Sequence, residues 1–250
     1  MWAISKGCKC YYEDSGQGKK TMVLLHGWGQ NTEMMKAIAL YFAKHFRVIN
    51  LDFPGFGQSE NPPSAFSVQD YTDFLAELLQ QLGVKKPILV AHSFGCRVAL
   101  HYSRDYPVEK MVLTGAAGVR DKRDWHWYWR TYSYKLAKRI LRWKPLLPLY
   151  HRWQKKVGSS DYQQAQGVMR ETFVKVVNDD VSSFLPAIDV ETLLVFGELD
   201  TATPVAKGEY MAKQMPRATL IIFAGDDHYA YFHQALRFNR VLEAFLQDDY

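Results

Sequence analysis

The sequence predicts an α/β protein built on a mostly parallel, doubly wound sheet with an inserted helical segment. Short runs of branched aliphatic residues alternate with stretches whose apolar residues recur at helical spacing, the pattern of an open parallel sheet. Residues 118–187 break this alternation, because they contain no convincing strand and are helical, aromatic and basic. At 250 residues, the chain is long enough for one domain with a sizeable core.

The predicted strands share an apolar composition and a polar residue or a glycine shortly after their last apolar residue. They are Met22–Leu25, Arg47–Leu51, Pro87–Ala91, Lys110–Thr114, Thr192–Gly197 and Thr219–Gly225. Helical spacing predicts helices over residues 31–45 and 67–82 and a further helix after Ser93. Ser67 is the expected N-cap of the second helix, since a serine side chain can accept a hydrogen bond from a backbone N–H of the first turn.

The cysteine content indicates a reducing compartment. The chain has three cysteines, and their spacing is not that of a zinc site. Cys8 and Cys10 are two apart on a predicted strand, and we expect them on opposite faces without a disulfide. No apolar run approaches the ~20 residues of a membrane helix, and residues 1–6 lack the apolar stretch of a signal peptide. We therefore expect a cytoplasmic protein.

The positive charge is concentrated in one part of the chain. The net charge is +5, yet residues 120–156 hold twelve Lys or Arg against two Asp, so the remainder is acidic. Since these basic residues are interleaved with apolar ones, a nucleic-acid partner is not expected. A local basic segment on an acidic body indicates an inserted element with its own task.

Candidate catalytic residues follow the predicted strands. Ser93, Asp200 and His228 each come shortly after a strand, and ligands of parallel sheets bind beyond the carboxyl ends of the strands. A serine hydroxyl needs a neighbouring base to attack a carbonyl carbon, an imidazole suits that task, and a buried carboxylate holds the imidazole tautomer. The backbone N–H groups of Trp28 and Phe94 are placed to stabilise the developing oxyanion.

Five blocks of sequence carry a resemblance to a known family: LLHGWGQN, LDFPGFGQSE, VAHSFGCRVAL, FGELDTATP and GDDHYAYFHQALRFNRVLEAFL. In this order they resemble the α/β-hydrolase fold family, in its lid-bearing serine esterase or lipase type. The resemblance implies Ser93 as nucleophile, Asp200 as acid and His228 as base. It also implies a core of residues 1–117 and 188–250 and a helical cap over the active site of residues 118–187. One departure is Ala91, which stands where the family usually has glycine before the nucleophile.

Several alternatives remain for these positions. Ser93 could serve only as a helix N-cap, His233 competes with His228 as the base, and Glu198 competes with Asp200 as the acid. In some relatives the acid follows an earlier strand, which would point to Asp121 or Asp124.

The inserted segment bears on the substrate. Trp129, Tyr132 and Leu136 lie on one face of a predicted helix, and we expect them to bind substrate over the pocket. Its basic residues would face solvent. Two alternatives are weak contact with an anionic membrane or lipid surface, and a basic rim that recruits anionic substrates. No acidic lining is expected that would favour cationic substrates.

The expected function is hydrolysis of carboxylic esters with apolar acyl or aromatic groups through an acyl-enzyme, on a small-molecule substrate and without metal or other cofactor. One alternative is hydrolysis of a carbon–carbon bond in an anionic ring-cleavage product, with Arg120 or Arg130 binding the anion. A different class of function is a non-catalytic member that binds a small ligand. The oligomeric state stays open.

Overall fold

The computed structural model describes residues 1–120 and 160–249, together with Trp129 and Arg139. At its centre lies one eight-stranded sheet in the order β1-β2-β4-β3-β5-β6-β7-β8. Its strands are β1 Trp2–Ser5, β2 Cys8–Ser15, β3 Thr21–Leu25, β4 Arg47–Leu51, β5 Ile88–His92, β6 Lys110–Thr114, β7 Thr192–Gly197 and β8 Ala218–Phe223. β2 is antiparallel to β1 and to β4, and every other neighbouring pair is parallel. The predicted mostly parallel sheet is confirmed.

Helices lie between the parallel strands and after the last of them. In the described residues they are α1 Thr32–Phe42, α2 Val68–Gln81, α3 Phe94–Asp105, α4 Ser160–Gln164, α5 Gly167–Val177, α6 Val205–Gln214, α7 Ala230–His233 and α8 Ala235–Phe245. α2 begins with the expected cap, since Ser67 Oγ accepts from the Asp70 N–H at 3.2 Å. The Asp70 carboxylate in turn accepts from the Ser67 N–H at 2.8 Å, so two helix-end donors are satisfied.

The core has two layers, one on each face of the sheet. Successive residues of a strand point to opposite faces, so Leu25 and Ala91 pack on the side of α2 and α3. Leu24 and Val90 pack on the other side, against α1 and α8. Because both faces are covered, the strands are apolar at consecutive positions. The doubly wound arrangement expected from the sequence is confirmed.

Cys8 and Cys10 correct one expectation. Residues two apart on a strand share a face, and both side chains are fully buried in the same core cluster. The expectation of opposite faces was wrong. Cys8 and Cys10 form no disulfide, as expected, and Cys96 is also a free thiol.

The stretch of chain that breaks the strand–helix alternation runs between β6 and β7. Its two ends meet, since the Val181 N–H donates to the Gly118 carbonyl at 3.1 Å. Nearby, the Arg97 guanidinium on α3 donates to the Asp179 carbonyl at 2.7 Å. Within the ranges that the structure describes, no helix combines the length and hydrophobicity needed to cross a membrane.

Candidate active site

Ser93 occupies a strained turn between β5 and α3. Its φ of 49° and ψ of −107° lie in a region that side-chain-bearing residues rarely adopt. Its N–H donates to the Thr114 carbonyl at 3.0 Å, which fixes the turn to β6. The Ser93 side chain makes no capping hydrogen bond to α3, although the residue precedes the helix. Its hydroxyl is therefore not used as a cap.

Close backbone packing supports this turn. A Cβ added at Gly95 would collide with the carbonyl oxygen of Leu25, so the start of α3 lies directly against the end of β3. Glycine is required here by the close approach of two backbones rather than by its φ angle.

His228 and Asp200 form a hydrogen-bonded pair on the loops after β8 and β7. The two atoms His228 Nδ1 and Asp200 Oδ2 are 2.7 Å apart, and Asp200 is 4% exposed. The other carboxylate oxygen accepts from the N–H groups of Ala202 and Thr203, both at 2.8 Å. Burial raises the pKa of Asp200, but hydrogen bonds from His228 and Thr203 outweigh it and hold that pKa below its ordinary value.

The competing residues make other contacts. The Glu198 carboxylate accepts from the Gly225 N–H at 2.8 Å. His233 Nδ1 lies 2.9 Å from an Asp226 carboxylate oxygen. Asp226, Asp227 and His233 also lie close enough together to hold a metal ion, but their polar atoms are engaged with one another and with Gln234. Asp121 and Asp124 lie outside the described residues.

One cavity joins the nucleophile candidate to the paired imidazole. It has a volume of about 390 Å³, and Ser93, His228 and Trp28 all contribute to its wall. The His228 ring fits closely against the backbone, because a Cβ at Gly115 would stand 3.0 Å from the ring atom Nδ1. The structure thus brings Ser93, Asp200 and His228 to the same edge of the sheet.

Trp28 and Phe94 border the turn at Ser93 from two directions. Their rings pack edge to face with centroids 5.6 Å apart. Trp28 lies in the loop after β3, and Phe94 is the first residue of α3. Among the described residues, neither backbone N–H has a hydrogen-bond acceptor. Two unpaired donors beside the nucleophile candidate can receive a developing negative charge.

His26 holds the loop that carries Trp28. Its Nδ1 donates to the Gly27 carbonyl at 2.7 Å, and its Nε2 accepts from the Phe53 N–H at 3.0 Å. These partners require a neutral ring, and full burial lowers the pKa of His26 to about 4. Gln30 closes the loop, since its Oε1 accepts from the Gly27 N–H at 2.9 Å.

His92 packs beneath the site. Its ring centroid lies 4.7 Å from that of His228 and 4.5 Å from that of Tyr231. Burial, and then the neighbouring His228, lower the pKa of His92 well below its usual value, so the ring stays neutral. No local sequence pattern indicates the contact between His92 and His228, because it depends on how the loop after β8 packs against β5.

A second cavity of about 320 Å³ adjoins the first. Trp28 and Asp161 contribute to both, and Phe56 and Met169 line the second. Asp161 and Asp227 therefore contribute to the cavity walls, whereas the sequence predicts no acidic lining that would favour cationic substrates. Asp161 lies in α4. The position of α4 next to Trp28 depends on tertiary packing, and no local sequence pattern predicts it.

The structure describes only one of the three side chains predicted to bind substrate. Trp129 lies in a helix, is 69% exposed and is not among the residues that line these two cavities. Tyr132 and Leu136 lie outside the described residues. Substrate contact by all three stays a prediction.

Comparisons with known proteins agree with this architecture. A family model for the alpha/beta hydrolase fold matches residues 20–235. A 2-hydroxy-6-oxononadienedioate/2-hydroxy-6-oxononatrienedioate hydrolase of Burkholderia vietnamiensis is 27% identical, over 96% of this chain and 91% of the relative. A pimeloyl-[acyl-carrier protein] methyl ester esterase of Sodalis glossinidius is 25% identical, over 95% and 97%. The solved structure of a meta-cleavage product hydrolase from Pseudomonas fluorescens superposes with a TM-score of 0.76 at 21% identity, covering 100% of this chain and 98% of that one.

Proposed function

The chain belongs to the alpha/beta hydrolase family, and we propose that within it the protein is a serine hydrolase of carboxylic esters. The proposal rests on the hydrogen-bonded pair of His228 and Asp200. His228 lines the same cavity as Ser93, whose backbone is strained and whose hydroxyl makes no capping hydrogen bond. Relatives of this chain are hydrolases, which supports an enzyme rather than a ligand-binding protein.

In the proposed reaction, Ser93 Oγ attacks the ester carbonyl carbon while His228 Nε2 takes the hydroxyl proton. Asp200 holds the proton on Nδ1, so that Nε2 is free to accept, and stabilises the imidazolium that forms. The N–H groups of Trp28 and Phe94 stabilise the oxyanion. The alcohol leaves with the proton from Nε2, and an acyl group remains on Ser93. Water then attacks the acyl carbon with His228 again as the base, the bond from that carbon to Ser93 Oγ breaks, and Oγ takes the proton from Nε2 as the carboxylic acid leaves.

Charge at the site favours esters over anionic ring-cleavage products. Asp161 and Asp227 contribute to the cavity walls, and negative charge there would repel a substrate carboxylate. Arg120, one of the two arginines considered as an anion site, lies near Asp180 and Arg97 and is not among the residues that line the two cavities. The other, Arg130, lies outside the described residues.

Carbon–carbon bond hydrolysis is the second candidate, and the relative from Burkholderia vietnamiensis favours it, since its name describes a dioate hydrolase. The same three residues could serve that reaction. The two candidates differ in the substrate's charge, so the acidic cavity wall is the feature that separates them.

We also propose that residues 118–187 form the cap over the active site. Asp161 and Met169, both within this range, line the cavities beside Trp28. The apolar and amide side chains there suit a neutral acyl or aromatic group.

The test is a rapid-mixing assay with p-nitrophenyl esters of short, medium and long acyl chains. We expect a burst of nitrophenol equal to the enzyme concentration, and we expect the Ser93→Ala variant to lose at least about 10³-fold of the turnover. Ser64→Ala, at an exposed loop serine, is the matched control and should keep the burst.

Turnover by Ser93→Ala at the parent rate would contradict the nucleophile assignment. A folded protein that ignores every ester but cleaves a 2-hydroxy-6-oxo-dienoate would favour the second candidate.

A further inference from the structure

Thr203 makes contacts with both members of the acid–base pair. Its hydroxyl oxygen lies 2.6 Å from Asp200 Oδ2 and 3.2 Å from His228 Nδ1. The residue is 5% exposed and immediately precedes Pro204, at the N-terminus of α6. Three heavy atoms, one from each residue, therefore form a closed triangle in a buried setting.

The protons in this triangle can be assigned from the chemistry of the groups. A carboxylate only accepts, so the single hydroxyl proton of Thr203 must point to Asp200 Oδ2. The proton on His228 Nδ1 then points to Asp200 Oδ2 at 2.7 Å and meets a lone pair of the Thr203 oxygen at 3.2 Å. His228 thus donates one bifurcated hydrogen bond to two acceptors.

This geometry restricts the imidazole more than a carboxylate alone could. A single Nδ1–H···O bond lets the ring swing about that bond, whereas a second acceptor on a different residue fixes the direction of the N–H vector. The Gly115 backbone also lies close to the His228 ring, since a Cβ added at Gly115 would stand 3.0 Å from both Nδ1 and Cε1. The direction of the opposite nitrogen, Nε2, is set by the same constraint.

We propose that Thr203 is a positioning residue, whose hydroxyl locks the Asp200 carboxylate and the His228 ring into the orientation that presents Nε2 to Ser93. This inference rests on the proposed function, because it assigns His228 as the base. Thr203 acts through His228 and Asp200 and touches no reacting atom.

The test compares two substitutions at one position. Thr203→Val keeps the branched shape and the backbone N–H that binds Asp200 but removes the hydroxyl. We expect kcat on a p-nitrophenyl ester to fall about 10- to 100-fold with KM unchanged, since a small misplacement of a catalytic group has effects of that size. Thr203→Ser restores the hydroxyl and should recover most of the lost kcat. Thr219→Val, at an exposed threonine of β8, is the control and should match the parent.

A second readout does not depend on turnover. The Nδ1–H proton of His228 should give a protected, far-downfield NMR signal in the parent and in Thr203→Ser, and a broadened or shifted one in Thr203→Val. Parent-like kcat in Thr203→Val would overturn the proposal. So would equal loss in the Val and Ser variants with an unchanged Nδ1–H signal, since that result assigns Thr203 to loop structure alone. If instead Ser93→Ala retains turnover, the proposed function fails, while the NMR comparison still tests the Thr203 contact.

Discussion

The two halves of the candidate site are held in place by different kinds of interaction. The half around Ser93 is shaped by backbone: a strained φ, the close approach of Gly95 to Leu25, and two N–H groups that have no acceptor among the described residues. The half around His228 is held mainly by side-chain hydrogen bonds from Asp200 and Thr203. Backbone close packing belongs to the core of the sheet, whereas the side-chain bonds lie on loops after β7 and β8.

This difference has a mechanical consequence. Adding a side chain at Gly95 in the backbone-built half disturbs the contact between β3 and α3, and therefore the fold. Changing a side chain of the other half leaves the sheet alone and alters proton transfer. Stability and activity should thus respond to different sets of substitutions, and three predictions test that separation.

Asp200→Asn should produce the largest of the three effects. It should lower activity and leave stability unchanged. Oδ1 accepts two backbone N–H groups, so the amide oxygen will take that place and the NH₂ group will face His228 Nδ1. A donor there forces the imidazole proton onto Nε2, which then cannot accept from Ser93. We expect kcat to fall about 10⁴-fold, the scale known for such tautomer errors. Ester kinetics and thermal unfolding, with the exposed Asp189→Asn as control, should show lost turnover with a parent-like Tm.

Gly95→Ala should instead lower stability, by about 3 kcal/mol, because the added methyl group must displace the backbone of β3. Gly7→Ala is a useful comparison, since Gly7 has a φ of 72° but no atom within 4 Å of an added Cβ. It should cost only about 1 kcal/mol. Urea unfolding measures both. Equal losses for the two variants would mean that close approach does not matter at Gly95.

The pH dependence of stability should be the smallest effect and should come from the backbone-built half. Burial lowers the pKa of His26 to about 4 and that of His92 well below normal, so between pH 6.5 and pH 4 the unfolded chain binds more protons than the folded one. The free energy of unfolding should therefore fall as the pH falls through this window. The exposed His233 has a raised pKa and works in the opposite direction, but solvent screens it. A flat profile in denaturant titrations would contradict this prediction.

Local patterns were sufficient for much of the fold. The capping box at Ser67 and Asp70 depends on residues three apart, and apolar runs placed β3 to β8 to within one or two residues, whereas the bounds of β1 and β2 were not predicted. The turn at Ser93 was readable for the same reason, since a buried strand, a serine and a helix follow one another directly.

Contacts between residues that are far apart in the chain could not be predicted from the sequence. No sequence pattern predicts a role for Thr203, because its hydroxyl contacts His228, 25 residues later, only once the two loops pack together. Asp161 reaches the cavity through the placement of α4 beside Trp28, which no local pattern encodes. The error at Cys8 and Cys10 was of another kind, because the period of a strand already required a common face.

The hydrogen bond between Val181 and Gly118 has an implication for how such proteins diversify. Gly118 and Val181 are joined by this backbone hydrogen bond, and the chain beside them is held to α3 by the hydrogen bond from Arg97 to Asp179. A segment of different length or composition could be grafted between these two points with β6 and β7 left in register. Under the proposed function, the sheet would then carry the residues that cleave the bond, and the inserted segment would determine which substrate reaches them.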